Sequence, residues 1–411
     1  MPHSTWLLVA VATAAAIAGQ TMAAERIARI TVEAGKYERI DTPISAPLED
    51  LGRDMKPPRM EEMTVGGAAP VVCQIEPGPP PRLCWILSGK TPARATRTFV
   101  VWPIEAPPAN VAPVEVRVGK DTLDVSCGDT KVLTYHAGVV APPEGAKAAL
   151  ARSGYIHPAW TPSGLVVTED FPSDHLHQRG IFMAWTKTEF EGRHPDFWNI
   201  GSGSATVRFK SRGPTASGPV YGGFQVNQEY VDLEAPGGEK VVLNEVLDVR
   251  IWRVGGPEKG YGLWDFTSTQ RCASASPLKL PKYHYGGLGY RGAPEWMANC
   301  RMLTSEGKTR ADGNETAARW CDVSGLSGGK AAGVLILGHP RNFRHPEPLR
   351  LNPQQPQICF APSQAGEWSI EPGKDYVWRY RFCVHDGTMS REQADRLWAD
   401  FGEPPTVRVE K

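Results

Sequence analysis

The densest group of side chains able to do chemistry lies in YIHPAWTPSGLVVTEDFPSDHLHQRGIFMAW, Tyr155–Trp185. It holds His157, His175 and His177, the carboxylates Glu169, Asp170 and Asp174, and Arg179, all among turn-forming prolines. His175 and His177 make an H-x-H pair. On an extended backbone, residues two apart point to the same face, so both imidazoles would meet one ligand. That ligand is either a divalent metal ion, since imidazole suits Zn, Cu or Fe, or a substrate proton, since imidazole titrates near neutral pH. H-x-H by itself is common, and two imidazoles on a surface turn are the bland alternative. Asp170, Asp174 and Arg179 all lie within five residues of the pair, and that density of ionisable groups weighs toward a site. There Asp174 would orient a histidine, and Arg179 would neutralise a substrate carboxylate or a developing oxyanion.

Three further clusters could line the same site. GHPRNFRHPEP, Gly338–Pro348, carries His339, Arg341, Arg344, His345 and Glu347 directly after an apolar run, a usual place for binding residues. KYHYGGLGYRG sets His284, Tyr285, Tyr290 and Arg291 around glycines that permit close backbone approach, and Arg291 is a second candidate to meet a carboxylate. Its GGLG is not a dinucleotide fingerprint, because no βαβ unit surrounds it. TSEGKTRADGNET offers Arg310 and Asp312, with a solvated hairpin loop as the competing reading and no calcium-loop pattern. His157, Trp185, His284, Arg291, Arg310, Asp312, His339, Arg341 and His345 are therefore expected to bind substrate. Of the 13 tryptophans, Trp252, Trp264 and Trp378 sit in alternating runs and read as core. Trp160, Trp185 and Trp198 flank the histidines and could instead stack on sugar rings.

Elements with a period of two must position these groups. Short β-like runs at Ile27–Val32, Val71–Gln74, Trp85–Leu87 and Thr98–Trp102 fill the front of the chain. A proline-rich stretch, Glu105–Pro113, then reads as a linker. Strands follow at Val114–Val118, Thr122–Ser126 and Val132–His136, with longer alternating runs at Ala205–Phe209, Gly222–Leu233, Val241–Trp252 and Tyr376–Phe382. In the last run Tyr376, Trp378, Tyr380 and Phe382 share one face. Helical periodicity is confined to the end, where Ser390 and Gln393 make a capping box for a helix reaching about Asp400. Strands without intervening helices exclude a doubly wound sheet. The expected class is all-β: a large antiparallel sandwich over 113–402, preceded by a small β domain over 25–106.

The 45 basic and 45 acidic side chains cancel, which excludes a general polyanion binder such as a nucleic-acid protein. An apolar run from Trp6 to about Gly19, followed by small residues to Ala24, reads as an export signal over 1–24, being shorter than the about 18–20 residues a span requires. Export makes eight cysteines readable as disulfides rather than metal thiolates. Cys73 and Cys84, at the ends of two runs flanking EPGPPPR, are the most local candidate pair.

The stretch from about Val132 to Ala399 resembles the bacterial family known as PmoA-like. The resemblance is carried by VLTYHAGVVAPPEG, SGYIHPAWTPSGLVVTEDFPSDHLHQRGIF, GRHPDFW, GGLGYRG, MLTSEGKTRADGN, GHPRNFRHPEP and the capped helix. The family pattern reads D-H-x-H-H-R-G, and here Gln178 stands in place of the last histidine. A site needing that third imidazole is altered, whereas Gln still hydrogen-bonds a hydroxyl. The label implies a methane-oxygenating copper protein, but a membrane monooxygenase subunit needs several spanning helices, and no segment after the leader is long and apolar enough. The resemblance implies instead an exported sandwich similar to the galactose-mutarotase-like supersandwich, in which sugar-active enzymes use His, Arg and carboxylates on a concave sheet. The expected function is a periplasmic or secreted carbohydrate-active enzyme, a lyase or hydrolase, with His175 or His177 as base. The alternatives are a glycan-binding protein without turnover and a copper or other metal protein holding one divalent ion on His175 and His177. A carbohydrate is the expected partner, and nucleic acid is not.

Overall fold

Alternation of apolar and polar side chains makes Ala205–Ala216, Tyr221–Asp232, Lys240–Gly256 and Tyr261–Cys272 strands of one antiparallel meander. The computed structural model describes residues 26–48, 56–106 and 110–411; the export signal expected over 1–24 lies outside the described residues. Tyr376–Asp386, Lys330–Gly338, Trp320–Ser327 and Arg301–Thr304 extend the meander to eight strands. A second sheet has nine strands. Across it run Thr316–Ala317, Pro348–Leu351, Gln357–Phe360, Gly287–Arg291, Ile181–Ala184, Tyr155–Ala159, Thr130–His136, Thr122–Cys127 and Val114–Val118. The chain is all-β with one short helix near its end, as expected.

The two large sheets face each other and bury their inward side chains in one core. Phe360 of the nine-stranded sheet meets Tyr380 of the other at 5.1 Å between ring centroids, and Tyr135 meets Phe224 at 5.4 Å. Trp378, Tyr380 and Phe382 point into this core together. Their strand neighbours Arg381 and Cys383 are buried as well, because the helix Arg391–Gly402 covers the outer face with Ala394, Leu397 and Trp398. Both halves of the Ser390–Gln393 capping box are formed, closing backbone donors that would otherwise be unpaired.

The front of the chain makes a five-stranded and a three-stranded sheet packed over a separate apolar cluster. The expected run Val71–Gln74 is divided between Gly67–Val71 and Cys73–Glu76. The last strand, Thr406–Glu410, returns to pair with Ala28–Glu33. Buried Arg39 fixes this return. Its guanidinium donates to the carbonyls of Ala399 at 2.9 Å and Glu403 at 2.7 Å, and pairs with Asp400 at 3.1 Å. It thereby satisfies carbonyls at the helix C-terminus, where a cation is favoured.

The disulfide expectation is not met: all eight cysteines are free thiols. For Cys73 and Cys84 the reason is register. Cys73 opposes Trp85 and Gln74 opposes Cys84, so the two cysteines are one residue out of step and point to opposite faces. Cys73 packs in the front cluster, and Cys84 in the cluster beneath the helix. Burial pushes both thiols up to about 12, so neither is a ready thiolate. Thiol titration in denaturant without reductant should count eight reactive groups per chain; fewer would mean that a bond has formed.

Candidate functional site

Asp170 opens the histidine loop and Arg179 closes it, paired with each other across an isolated bridge. Between them, His175 donates its backbone N–H to the Pro172 carbonyl at 2.9 Å, and Gln178 donates to the His175 carbonyl at 2.8 Å. The H-x-H segment is thus two consecutive turns rather than an extended run. Its rings still meet, edge to face, with centroids 5.5 Å apart.

Arg291 holds this loop to the sheet. It ends the strand Gly287–Arg291, and its side chain is 1% exposed. Nε donates to Glu169 at 2.9 Å, while the two Nη atoms donate to Asp174 at 2.9 and 3.3 Å and to Gln178 at 3.1 Å. The arginine fork therefore grips both arms of the loop. Burial raises the carboxyl of Glu169 above its ordinary range despite this partner. At Asp174 burial pushes the same way, but the Arg291 hydrogen bonds outweigh it and the group is held low. Asp174 also lies 3.4 Å from His175 Nδ1, and the same nitrogen meets the Gln355 amide at 2.8 Å. His175 Nδ1 thus lies within reach of both the Gln355 carboxamide and the Asp174 carboxylate.

In front of this layer is a cavity of about 260 Å³ lined by His175, His177, Gln178, Trp198, Asn199, His284, Tyr285, Arg350, Asn352 and Gln357. Each wall has a local cause. Asp196 Oδ1 accepts from the backbone N–H groups of Trp198 and Asn199 at 3.0 and 2.8 Å, the turn that GRHPDFWN encodes. Asn199 Nδ2 then donates to the Tyr285 hydroxyl at 2.9 Å. A Cβ on Gly289 would come 2.7 Å from Trp198, so the indole seats against the sheet only because that residue is glycine. Arg350 faces outward between Leu349 and Leu351, which are both in the core, and donates to Asn314 at 3.2 Å. Burial, then the neighbouring His175, lowers the His177 imidazole to about 4. Burial also lowers His284 and pushes the Tyr285 phenol up to about 12.

His175, His177 and His284 therefore converge, with Asp174 and Arg291 directly behind them. The other expected residues lie elsewhere. Arg179 is wholly buried, pairs with Asp170 at 2.8 Å, and stacks on Phe171, so its charge is not available to a substrate. His157 is held by Thr168 at 2.9 Å. Trp185 is core, its indole donating to Gln270 at 2.8 Å. Arg310 supports the cavity indirectly, donating to the carbonyl of Asn352 at 2.9 Å, while Asp312 closes its own loop on Thr309. His339 packs on Phe401 and His345 on Trp398, against the C-terminal helix, with Arg341 exposed beside them. Arg350, Asn199, Asn352 and Gln357 were not expected. Only Arg350 carried a sequence signal, as the polar member of an alternating Leu-Arg-Leu run.

Among the described residues, no group of three His, Cys, Asp or Glu is arranged to hold a metal ion. The place of a third imidazole is taken by Gln178, whose oxygen already accepts from Arg291. His284 shares the cavity but does not join His175 and His177 in such a group, which leaves the pair short of the three protein ligands that a catalytic zinc site uses.

A family of unknown function, DUF6807, matches residues 122–399. The chain belongs to this family. The match covers the whole eight-stranded sheet, all of the nine-stranded sheet except its edge strand Val114–Val118, and every residue lining the cavity. The description of DUF6807 carries no PmoA or methane-oxygenase label, so that part of the expected resemblance is not supported. No curated protein matches the chain. Among solved structures, it is similar to heparan sulfate lyase HepC from Pedobacter heparinus at 8% identity and a TM-score of 0.35. That likeness covers 70% of this chain and 38% of the lyase, and at this level it says nothing about activity.

Replacing Arg291 with Met should leave Glu169 and Asp174 without their cation. Because both carboxylates keep some contact with solvent, the expected loss is near the lower end of the range for broken buried pairs, about 3 kcal/mol. Urea denaturation reads it directly, and an unchanged midpoint would show that the fork is not what holds the loop.

Proposed function

We propose that this DUF6807 protein is an exported carbohydrate-active enzyme, and that of the two expected chemistries it performs elimination rather than hydrolysis. One observation carries the choice: the cavity is walled by imidazoles, carboxamides, a phenol and Arg350, with no Asp or Glu. Most glycoside hydrolases place two carboxyl groups about the scissile bond. Here the nearby carboxylates are otherwise engaged, Asp174 with Arg291 and Asp196 with the Asn199 turn. The carboxamides suit sugar hydroxyls, and the apolar run Trp6–Gly19 supports export to the periplasm or beyond.

Elimination from a uronic acid unit uses the groups that line the cavity. Arg350 meets the carboxylate and makes the proton on the adjacent carbon more acidic. His177, held neutral, removes that proton. The electron pair left on carbon forms a double bond to the neighbouring ring carbon, whose bond to the glycosidic oxygen breaks. Tyr285 keeps its proton at working pH and delivers it to the departing oxygen. Meeting the substrate carboxylate, the role expected of Arg179 and Arg291, falls to Arg350, because the first two are buried in ion pairs.

Purified protein incubated with a panel of uronic-acid polysaccharides should release unsaturated products, read by their ultraviolet absorbance. His177→Ala should lower the rate by about 10²–10⁴-fold, the usual contribution of a positioned base. A panel yielding no unsaturated product overturns the reading, and saturable sugar binding without product would establish the non-catalytic alternative. The pH profile supplies a separate check. His177 is a base only above its own pKa, so kcat/KM should stay level down through pH 5 and fall as pH drops through about 4. An acid limb near the ordinary histidine value would remove His177 from the role.

A further inference from the structure

The nine-stranded sheet has a second built surface at its other end. Val114–Val118 is its edge strand, followed inward by Thr122–Cys127 and Thr130–His136. The cavity strands Pro348–Leu351 and Gln357–Phe360 lie toward the opposite edge. Two depressions of 480 and 580 Å³ are both lined by Lys131 and Trp160, and the second also by Glu115 and Arg117 of the edge strand. They adjoin at Lys131 and Trp160, and together they are called the Trp160 trough. Each half is of the size that holds a small-molecule or sugar ligand, roughly 300–1,000 Å³.

Trp160 differs from the other tryptophans near the histidine loop. Trp185 and Trp198 are buried in the core, whereas Trp160 is half-buried, and its indole N–H has no protein partner among the described residues. The Lys131 ammonium sits 5.6 Å from its ring centroid. Glu115, Arg117 and Asp129 line the same trough, and none of these three makes an ion pair or side-chain hydrogen bond among the described residues. Across the two halves the walls carry four acids and four bases. Such a wall gives no net attraction to a polyanion, and it faces an apolar ligand with groups that need solvation. It suits an uncharged ligand rich in hydroxyls, stacked on the indole and hydrogen-bonded at both sides.

We infer that the Trp160 trough is a second carbohydrate-binding site, taking neutral sugar units of a polysaccharide at a distance from the His177 cavity. It stands on Trp160 and its unpaired neighbours, independently of whether the cavity catalyses elimination. If both sites engage one polymer, the trough raises the effective concentration of chain at the cavity without taking part in chemistry.

Affinity electrophoresis in native gels containing arabinoxylan, galactomannan, mixed-linkage β-glucan or laminarin tests this. At least one of them should retard the wild-type protein. Trp160→Ala should weaken that retardation by about tenfold in apparent affinity, near the 1.4 kcal/mol that one aromatic platform contributes. Trp160→Phe should retain part of it, and Lys131→Glu should weaken it while leaving the indole in place. His177→Ala, which alters only the cavity, should be retarded like wild type. The inference is overturned if no polysaccharide retards the wild type. It is equally overturned if Trp160→Ala and Lys131→Glu migrate as the wild type does, or if retardation is lost in His177→Ala alone.

Discussion

A single buried guanidinium determines where the histidines stand. Arg291 is fixed at the end of its strand, paired with Gln357 on one side and donating its backbone N–H to the Gly180 carbonyl on the other, and its five side-chain donors have almost no access to water. Each donor must find an acceptor inside the protein. Glu169, Asp174 and Gln178 accept four of these bonds and the Met297 thioether the fifth, at 3.6 Å, and the first three bring both arms of a loop built of turns onto the sheet. His175 and His177 lie between Asp174 and Gln178. The geometry of the candidate site is therefore a consequence of satisfying one arginine, and the lowered imidazole of His177 follows from the burial this enforces.

Much of the frame was legible in the sequence, and the reason is periodicity. Ala205–Ala216, Tyr221–Asp232 and Tyr376–Asp386 alternate because one face is buried and the other is not, so the strands and the all-β class could be read directly. The capped helix was legible because its signal is local. Half of the site was legible for a different reason: His175, His177, Asp174, His284 and Arg291 occur in dense, unusual clusters. Arg179 and Trp185 belonged to the same clusters and yet serve the interior. Density of ionisable groups does not separate an arginine that faces a ligand from one that closes a loop.

What sequence could not supply was long-range placement. Arg350, Asn352 and Gln357 come from a segment rich in Asn, Pro and Gln that carries no motif. They reach the cavity because Gln357 opens the strand paired with the one that ends in Arg291, Arg350 lies in the next strand out, and Asn352 follows that strand. The cysteines make the same point in reverse. Their even number suggested bonds, but a register offset of one residue sends Cys73 and Cys84 to opposite faces. Gln178 is the sharpest case, since its meaning depends wholly on Arg291. An imidazole there could accept that hydrogen bond only while neutral, whereas a carboxamide accepts it at any pH.

In the proposed elimination the cavity recognises a carboxylate through Arg350 and leaves it beside a neutral imidazole. Calorimetry with the His177→Ala protein, which should bind without turnover, tests this most directly. The titrants are uronic-acid oligosaccharides and the same oligosaccharides after reduction of their carboxyl groups to alcohols. The acidic form should bind, and carboxyl reduction and Arg350→Met should each weaken it about tenfold or more. Equal affinity for the acidic and reduced forms would rule out carboxylate recognition by Arg350.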